Sequence, residues 1–574
     1  MKKQLSGLIN NFKMTNIIIC LIVSMFISIL QMLGRFLDVR SNGLNVSIIR
    51  IGIEGIVFFI ICNLTLVLLW KGGKWLLNSK PFEKSLFGKI YFWQPIILLS
   101  WLPCFLAYFP GIYSYDGEPQ LIQYTSGQLD NHHPVIHTLI IGSCYDLGQW
   151  LQTHGINIDG LAFYTIIQVL LLSFAMAYLL RFLVQKNAGK AFVILFATYI
   201  CLFPTMPLMA ISSTKDTFFA AFFVLFLTEL TNIYTAKKEQ NGDNKDLNTC
   251  SVVIKNAEKL HISSLIRLFI FSAGCMFFRR NGYYVIAILL MFFVVVAACQ
   301  VIRSRKNILL KNPLYAVAFI LLISVLFFSI TEKTVIKCTN ALEGESAEAL
   351  SIPLQQMARA FKSNDNAIRI KYGERLTTYV SETGLCNYRP LITDGVKQYF
   401  NNEYFATNKA DFIKVYVELG KDYPGPYLFA VLYLTKGDWH IMDTTFCEVY
   451  KDWWRDRTGY LITDATKVFA GDFVKKSNIW PGVRNLYERF ATDCSFTKFV
   501  PFQVICSPAF YVFLSFLGAL ALILNKKKGL YPVVGAILLY LLTMFAGPCV
   551  LIRYIFPVMV SIPLLAWCVL SSND

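Results

Sequence analysis

Charge is scarce in this 574-residue chain. Only 16% of its residues are Asp, Glu, Lys or Arg, against about 25% in an ordinary soluble domain, while 55% are hydrophobic and the mean hydropathy is +0.51. A soluble protein of this size cannot hide that much apolar surface. The 15 cysteines form no C-x-x-C pair and no Cys/His spacing suited to zinc, and most lie in apolar runs, where cysteine acts as a small hydrophobe. Internal repeats, low-complexity tracts and Gly/Ser linkers are missing. No small-residue cleavage site follows the first apolar run, Ile17 to Leu30, so that run reads as a retained anchor and not a signal peptide. A basic–aromatic stripe for nucleic acid is also missing, although the net charge is +17. Between Glu332 and Val500, 22 Lys/Arg face 21 Asp/Glu, so the excess sits among the apolar runs. Charge placed there holds loops in the cytoplasm and is not a nucleic-acid footprint.

What the chain does have is many apolar runs of about 20 residues, the length that crosses a bilayer core. They predict an all-α polytopic membrane protein with about 12 transmembrane helices, near 15–35, 49–70, 90–109, 160–184, 190–211, 216–235, 264–278, 282–302, 313–331, 505–525, 530–546 and 551–570. One more apolar segment, 134–151, decides the topology. If it spans, the basic loops at Arg181–Lys190, Lys237–Arg267, Arg303–Lys311 and Lys526–Lys528 all face outward. If it lies flat on the outer surface, they face the cytoplasm, and the outer loop 110–159 carries no Lys or Arg. The positive-inside rule selects the second arrangement, with both termini inside. His137, Asp146 and Gln149 suit such an interfacial helix.

The expected organisation is two N-terminal spans and a cytoplasmic loop (1–89), a transmembrane module (90–331), a mostly helical extracytoplasmic domain (332–503) and the C-terminal spans (504–574). Within 332–503, Ala347 to Phe361 reads as an amphipathic helix broken near Pro353. Ala410 to Leu419 reads as another, ended before Pro424. Trp439, Trp453, Trp454 and Trp480 suit the membrane interface, sugar stacking or core packing. Cys338, Cys386, Cys447 and Cys494 permit disulfides if the block is outside. Lys237 to Lys259 reads as a charged cytoplasmic loop.

This topology sorts the polar residues by face. Asp116, Glu118 and Gln120 fall on the first large outer loop, followed by His132, His133 and His137. Lys215 and Asp216 fall on the next outer turn, Arg279 and Arg280 at the outer end of another span pair, and Arg553 at the last outer turn. A phosphate at that face would meet four cations, and arginine binds phosphate through its fork. Each piece also has a plain role. The arginines can snorkel into headgroups, Lys215–Asp216 can pair at a helix start, the histidines can be satisfied interfacial residues, and Glu54 reads as structural. Asp116 stands apart because glycine and proline on both sides make a shaped loop. No closed metal-ligand set is visible, and no cofactor is expected.

The strings PGIYSYDGEPQ, NHHPVIHT, STKDTFF, FFRRNGYYV, LSIPLQQMARAF and RYIFPVMVSIP, in this order and topology, resemble the glycosyltransferase-C superfamily. The closest likeness is to an uncharacterised bacterial multi-pass family of that type. The resemblance implies a GT-C-like fold, with 90–331 as the catalytic module. It also implies a sugar donor on a polyprenyl phosphate reached from the outer side, and a glycan, lipid or protein acceptor among the membrane lipids. Asp116 matches the first-loop catalytic acid and Asp216 the second-loop acid. His133-Pro134-Val135 replaces His-Pro-Pro, and Tyr-Asp-Gly replaces paired acids, which leaves sugar identity and metal dependence open. With Asp116 as general base, Lys215, Arg279, Arg280 and Arg553 would stabilise the leaving lipid phosphate. The competing expectations are a transporter or flippase of lipid-linked sugars, a polysaccharide polymerase or ligase, and a degenerate scaffold.

Overall fold

A backbone N–H or C=O in hydrocarbon has no water to bond, so apolar segments coil into helices that satisfy their own polar groups. The computed structural model describes residues 14–42, 46–114, 116–235, 261–304, 313–342, 344, 346–363, 366–449, 460–461 and 479–571. Among them the architecture is all-α, and β pairing is confined to isolated bridges. Nine described helices are long and apolar enough to cross a membrane. Two further stretches are bent, Lys190–Leu202 with Thr205–Ile211 by 51° and Val500–Cys506 with Pro508–Leu524 by 69°, and counting each as one span gives eleven. Both bends fall beside a proline, Pro204 and Pro508, which cannot continue the preceding turn. The span expected at 264–278 is the helix Ile262–Phe278, only 17 residues long.

The helix Val135–Thr153 is not among the membrane-crossing set. Its buried side, including Val135, His137, Thr138 and Ile141, packs on Gly117–Ser126 and Gly160–Gln185. A Cβ at Gly148 would lie 2.4 Å from the backbone nitrogen of Gly160, so the chain doubles back with backbone against backbone.

The central helix is Lys215–Tyr234, surrounded by Gly160–Gln185, Ile262–Phe278 and Ile552–Leu570. Its run of Phe, Leu, Val and Ala on all sides fits a helix buried all round. Beyond its first turn, which carries Asp216, its one acid is Glu229, fully buried. Arg267 grips it with two hydrogen bonds of 3.1 and 3.0 Å, and the Tyr178 hydroxyl donates a third. Acids at membrane depth persist when paired in this way. Near the N-terminus, Glu54 is held by Arg35 and Arg50, in keeping with a structural role.

The 332–503 block divides its burial. Residues between Ala347 and Tyr427 share a core of their own built on Leu354, Phe361, Tyr372, Leu376 and Phe412. Phe446, Cys447, Tyr460, Phe490 and Phe496 instead join the core of the apolar bundle. The expected helix over 347–361 is a 3-10 turn, Ser346–Leu350, followed by the α-helix Ser351–Lys362. Pro353 thus sits in a first turn, where its missing N–H costs nothing. The second expected helix extends over Lys409–Asp422. Trp439 is partly buried and donates to Thr435 Oγ1 at 3.1 Å, whereas Trp480 is exposed. Trp453, Trp454 and the Lys237–Lys259 loop lie outside the described residues.

Candidate functional site

The two loops that carry the acids are stapled to each other. Ile112 N–H donates to Ile211 O at 3.0 Å, and Ser213 N–H donates to Ile112 O at 2.9 Å. Ser114 N–H donates to Ser213 Oγ at 3.2 Å. Gly117 completes the contact, since a Cβ there would lie 2.6 Å from Ser213 O. Below the staple runs a buried chain of side chains. Gln120 donates to Thr138 at 2.9 Å and meets His137 Nδ1 at 2.9 Å, and His137 Nε2 meets the Tyr164 hydroxyl at 2.8 Å. Tyr164 donates to Gln168, whose amide caps Ala210 O at 2.8 Å and Ser212 O at 2.7 Å. Gln120 and His137 therefore support the 210–213 segment from beneath and stand outside the charged cluster.

Above the staple, helix ends from four chain regions bring charges together. Asp116 caps Gly117–Ser126, Lys215 opens Lys215–Tyr234, Arg279 ends Ile262–Phe278, and Arg553 lies in the first turn of Ile552–Leu570. Asp116 Oδ2 accepts from Lys215 Nζ at 2.6 Å and from Arg553 Nη1 at 2.8 Å. Asp216 accepts from Arg279 and from Thr214 Oγ1 at 3.0 Å, and lies 3.6 Å from Arg553. The guanidinium carbons of Arg279 and Arg553 sit 4.7 and 4.9 Å from the Tyr554 ring centre, and Arg553 Nη2 donates to the Tyr554 hydroxyl at 3.1 Å. Arginine over an aromatic face gains further attraction.

Burial alone would push the Asp116 carboxyl up, but Arg553 and Lys215 outweigh it and hold the group well below the usual carboxylate range. Burial and then Lys215 hold His133 well below the ordinary imidazole value. A neutral His133 accepts from Lys215 Nζ at Nδ1, 2.7 Å away, which leaves its ring proton on Nε2. Three cations then face two carboxylates, and by formal charge these five side chains sum to one positive charge in excess.

Besides Gln120, two more expected members stand apart. Arg280 turns away and donates to Asn131 O. It heads a shallow open groove with room for about 20 Å³, walled by Val135, Met276, Phe277, Phe328 and Ile336 and edged by Asn131 and Glu332. His132 points to Glu348 at 3.6 Å and stacks edge-on to His133. The residues missing from the sequence reading are Thr214, Gln168 and Tyr540, whose ring centre lies 5.9 Å from the Arg279 guanidinium carbon. Thr214 was legible as a helix cap followed by an acid. Gln168 and Tyr540 sit inside apolar runs and carry no local signal.

Compared with models of protein families, residues 96–573 match DUF6020, a family of unknown function. The chain belongs to this family. The match covers every residue of the cluster, from Asp116 to Arg553, and begins after the helices Met14–Asn42 and Ile48–Leu77. None of the curated proteins and none of the solved structures matches the chain. Membership is consistent with a multi-pass all-α membrane protein and assigns no activity.

Proposed function

We propose that the protein is a membrane glycosyltransferase of the GT-C type, moving a sugar from a polyprenyl-phosphate donor to an extracytoplasmic acceptor. The observation that carries this reading is the buried cluster in which Lys215, Arg279 and Arg553 outnumber Asp116 and Asp216. Such a cluster suits an anionic head, and the shallow groove headed by Arg280 offers an apolar wall for the first part of a hydrocarbon tail. The accompanying topology counts both bent pairs and Ile262–Phe278 as spans, giving twelve, with the termini inside and the cluster at the outer face.

In this mechanism the resting cluster is guarded. Asp116 is a weak base while Lys215 and Arg553 hold it. A donor phosphate competes for those two cations and takes over their hydrogen bonds, which restores basicity to Asp116. The acceptor hydroxyl oxygen then attacks the anomeric carbon and its proton passes to Asp116. The bond from that carbon to the phosphate oxygen breaks, and the electron pair leaves with the lipid phosphate, held by Lys215, Arg279 and Arg553. Asp216 orients the two arginines. The direct test is to incubate purified protein with a panel of polyprenyl-phosphate sugars and detect released lipid phosphate. Release from at least one donor, dependent on acceptor, is the expected result, and no release across hexose and pentose donors would overturn the proposal.

Two further outcomes follow from the same reading. Ile336→Trp fills the groove, so it should raise KM for a long-chain donor and leave a short-chain donor unaffected; equal effects on both would detach the groove from the tail. Cys447 and Cys494 are free thiols that neighbour each other. On the outer side of a membrane such a pair is expected to be oxidised. Mass spectrometry of the unreduced protein should recover these two peptides linked, and two free thiols in protein from intact cells would argue against the outer placement.

A further inference from the structure

Asp38, His440 and Asp443 come together from chain segments some four hundred residues apart and have no task in the proposed transfer. Asp38 lies on the N-terminal helix Met14–Asn42. The other two lie on a turn in which His440 N–H donates to Lys436 O at 2.9 Å and Asp443 N–H donates to His440 O at 2.9 Å. These turns bring the side chains of 436, 440 and 443 to one side. Gly34 lies one helical turn before Asp38, and a Cβ on it would sit 2.3 Å from the His440 ring. The imidazole is therefore seated on bare helix backbone, and the Tyr433 hydroxyl fastens the same contact by donating to Leu37 O at 3.2 Å.

One oxygen each from Asp38 and Asp443 and one ring nitrogen of His440 lie within 4.8 Å of one another. His440 is only 3% exposed, and its Nδ1 has no hydrogen-bond partner among the described residues. That nitrogen faces Asp38 Oδ2 across 3.8 Å. The gap is too long for a hydrogen bond and close to the spacing of two ligands on one tetrahedral ion, about 3.4 Å for bonds near 2.1 Å. A buried acceptor or donor left unmatched is destabilising, so an orphaned ring nitrogen aimed at a carboxylate needs an explanation. Lys436 takes the other side: its ammonium pairs with Asp38 Oδ1 and lies 2.9 Å from Asp443 Oδ1. Thr445 Oγ1 donates to both Asp443 oxygens, at 2.9 and 2.7 Å. Such outer partners fix how a ligating carboxylate points.

We infer that Asp38, His440 and Asp443 form a binding site for a divalent transition-metal ion of the zinc type, with Lys436 and Thr445 orienting the carboxylates from outside. One imidazole and two carboxylates with no thiolate is a ligand set zinc accepts, and a fourth position stays open to water. Lys436 is also the rival, because its ammonium already meets both carboxylates and could be the cation the pair was built for. The ion would pin the N-terminal helix to the 436–443 segment, independently of any sugar transfer.

Full-length protein stripped with chelator and titrated with Zn²⁺ should bind one equivalent, with a rise in Tm. Asp38→Asn and His440→Gln should each weaken that binding more than about tenfold while keeping the elution volume of the folded protein. Lys436→Met should keep or tighten it. X-ray absorption of the zinc-loaded wild type should report nitrogen and oxygen neighbours including one imidazole, a result that does not depend on any variant folding. Sulfur neighbours, less than one equivalent bound at saturation, or equal binding by wild type and both ligand variants would overturn the site and leave Lys436 as its resident cation.

Discussion

Asp116→Asn should lower turnover by about 10²–10⁴-fold with donor affinity kept or improved. The substitution preserves shape and removes a carboxylate that two cations now clasp at 2.6 and 2.8 Å. Without it Lys215 and Arg553 lose a competitor for the donor phosphate, so binding has no reason to weaken. The loss falls on proton removal, which an amide cannot perform. The variant should melt lower on either account, because two buried cations lose their counter-charge; a purely structural Asp116 differs in that its folded fraction would turn over normally. Measuring kcat, KM and Tm on the same preparation separates the two, and wild-type kcat in a folded Asp116→Asn protein would remove Asp116 from the chemistry.

Arg553→Gln should cost both donor affinity and stability. Among the described residues, Arg553 is the one cation paired with both acids, 2.8 Å from Asp116 and 3.6 Å from Asp216. Its removal takes the cluster from one positive charge in excess to neutral, so the attraction for an anionic head falls. Breaking one partner from a buried ion pair typically costs about 3–5 kcal/mol, which calorimetry or thermal melting detects easily. Arg553→Lys restores the charge without the fork and without the flat face that packs on Tyr554. It should recover part of the stability and little of the affinity. A silent Arg553→Lys in both measurements would reduce this residue to a simple counter-charge.

The charges of the site were legible in the sequence, and their grouping was not. Asp116, Lys215, Asp216, Arg279 and Arg553 stand at the ends of apolar runs, and a membrane topology assigns them to one face before any coordinates exist. Pairing is a tertiary fact. That Arg553 reaches across to both acids follows from how Ile552–Leu570 packs on Lys215–Tyr234, which no local pattern encodes. The same reason explains why Gln120 and Arg280 left the cluster. Gln120 is drawn under the staple by His137 and Thr138, and Arg280 by the carbonyl of Asn131. Span counting worked where hydrophobic runs were long. It was less sure at 190–211, 264–278 and 505–525, because proline bends two of these and the third is short. Glu229 also lay hidden in an apolar run, and its partners Tyr178 and Arg267 come from two other helices.

The measurement that reaches the central claim most directly uses the protein in sealed proteoliposomes with a sugar-labelled polyprenyl phosphate in both leaflets. After addition of acceptor to one side, the sugar and the lipid phosphate are followed separately. The account predicts that the bond between them breaks, that label moves to the acceptor on one face only, and that Asp116→Asn abolishes this without releasing bound donor. Movement of intact donor from one leaflet to the other, with the sugar–phosphate bond preserved, would contradict it and assign the charged cluster to transport.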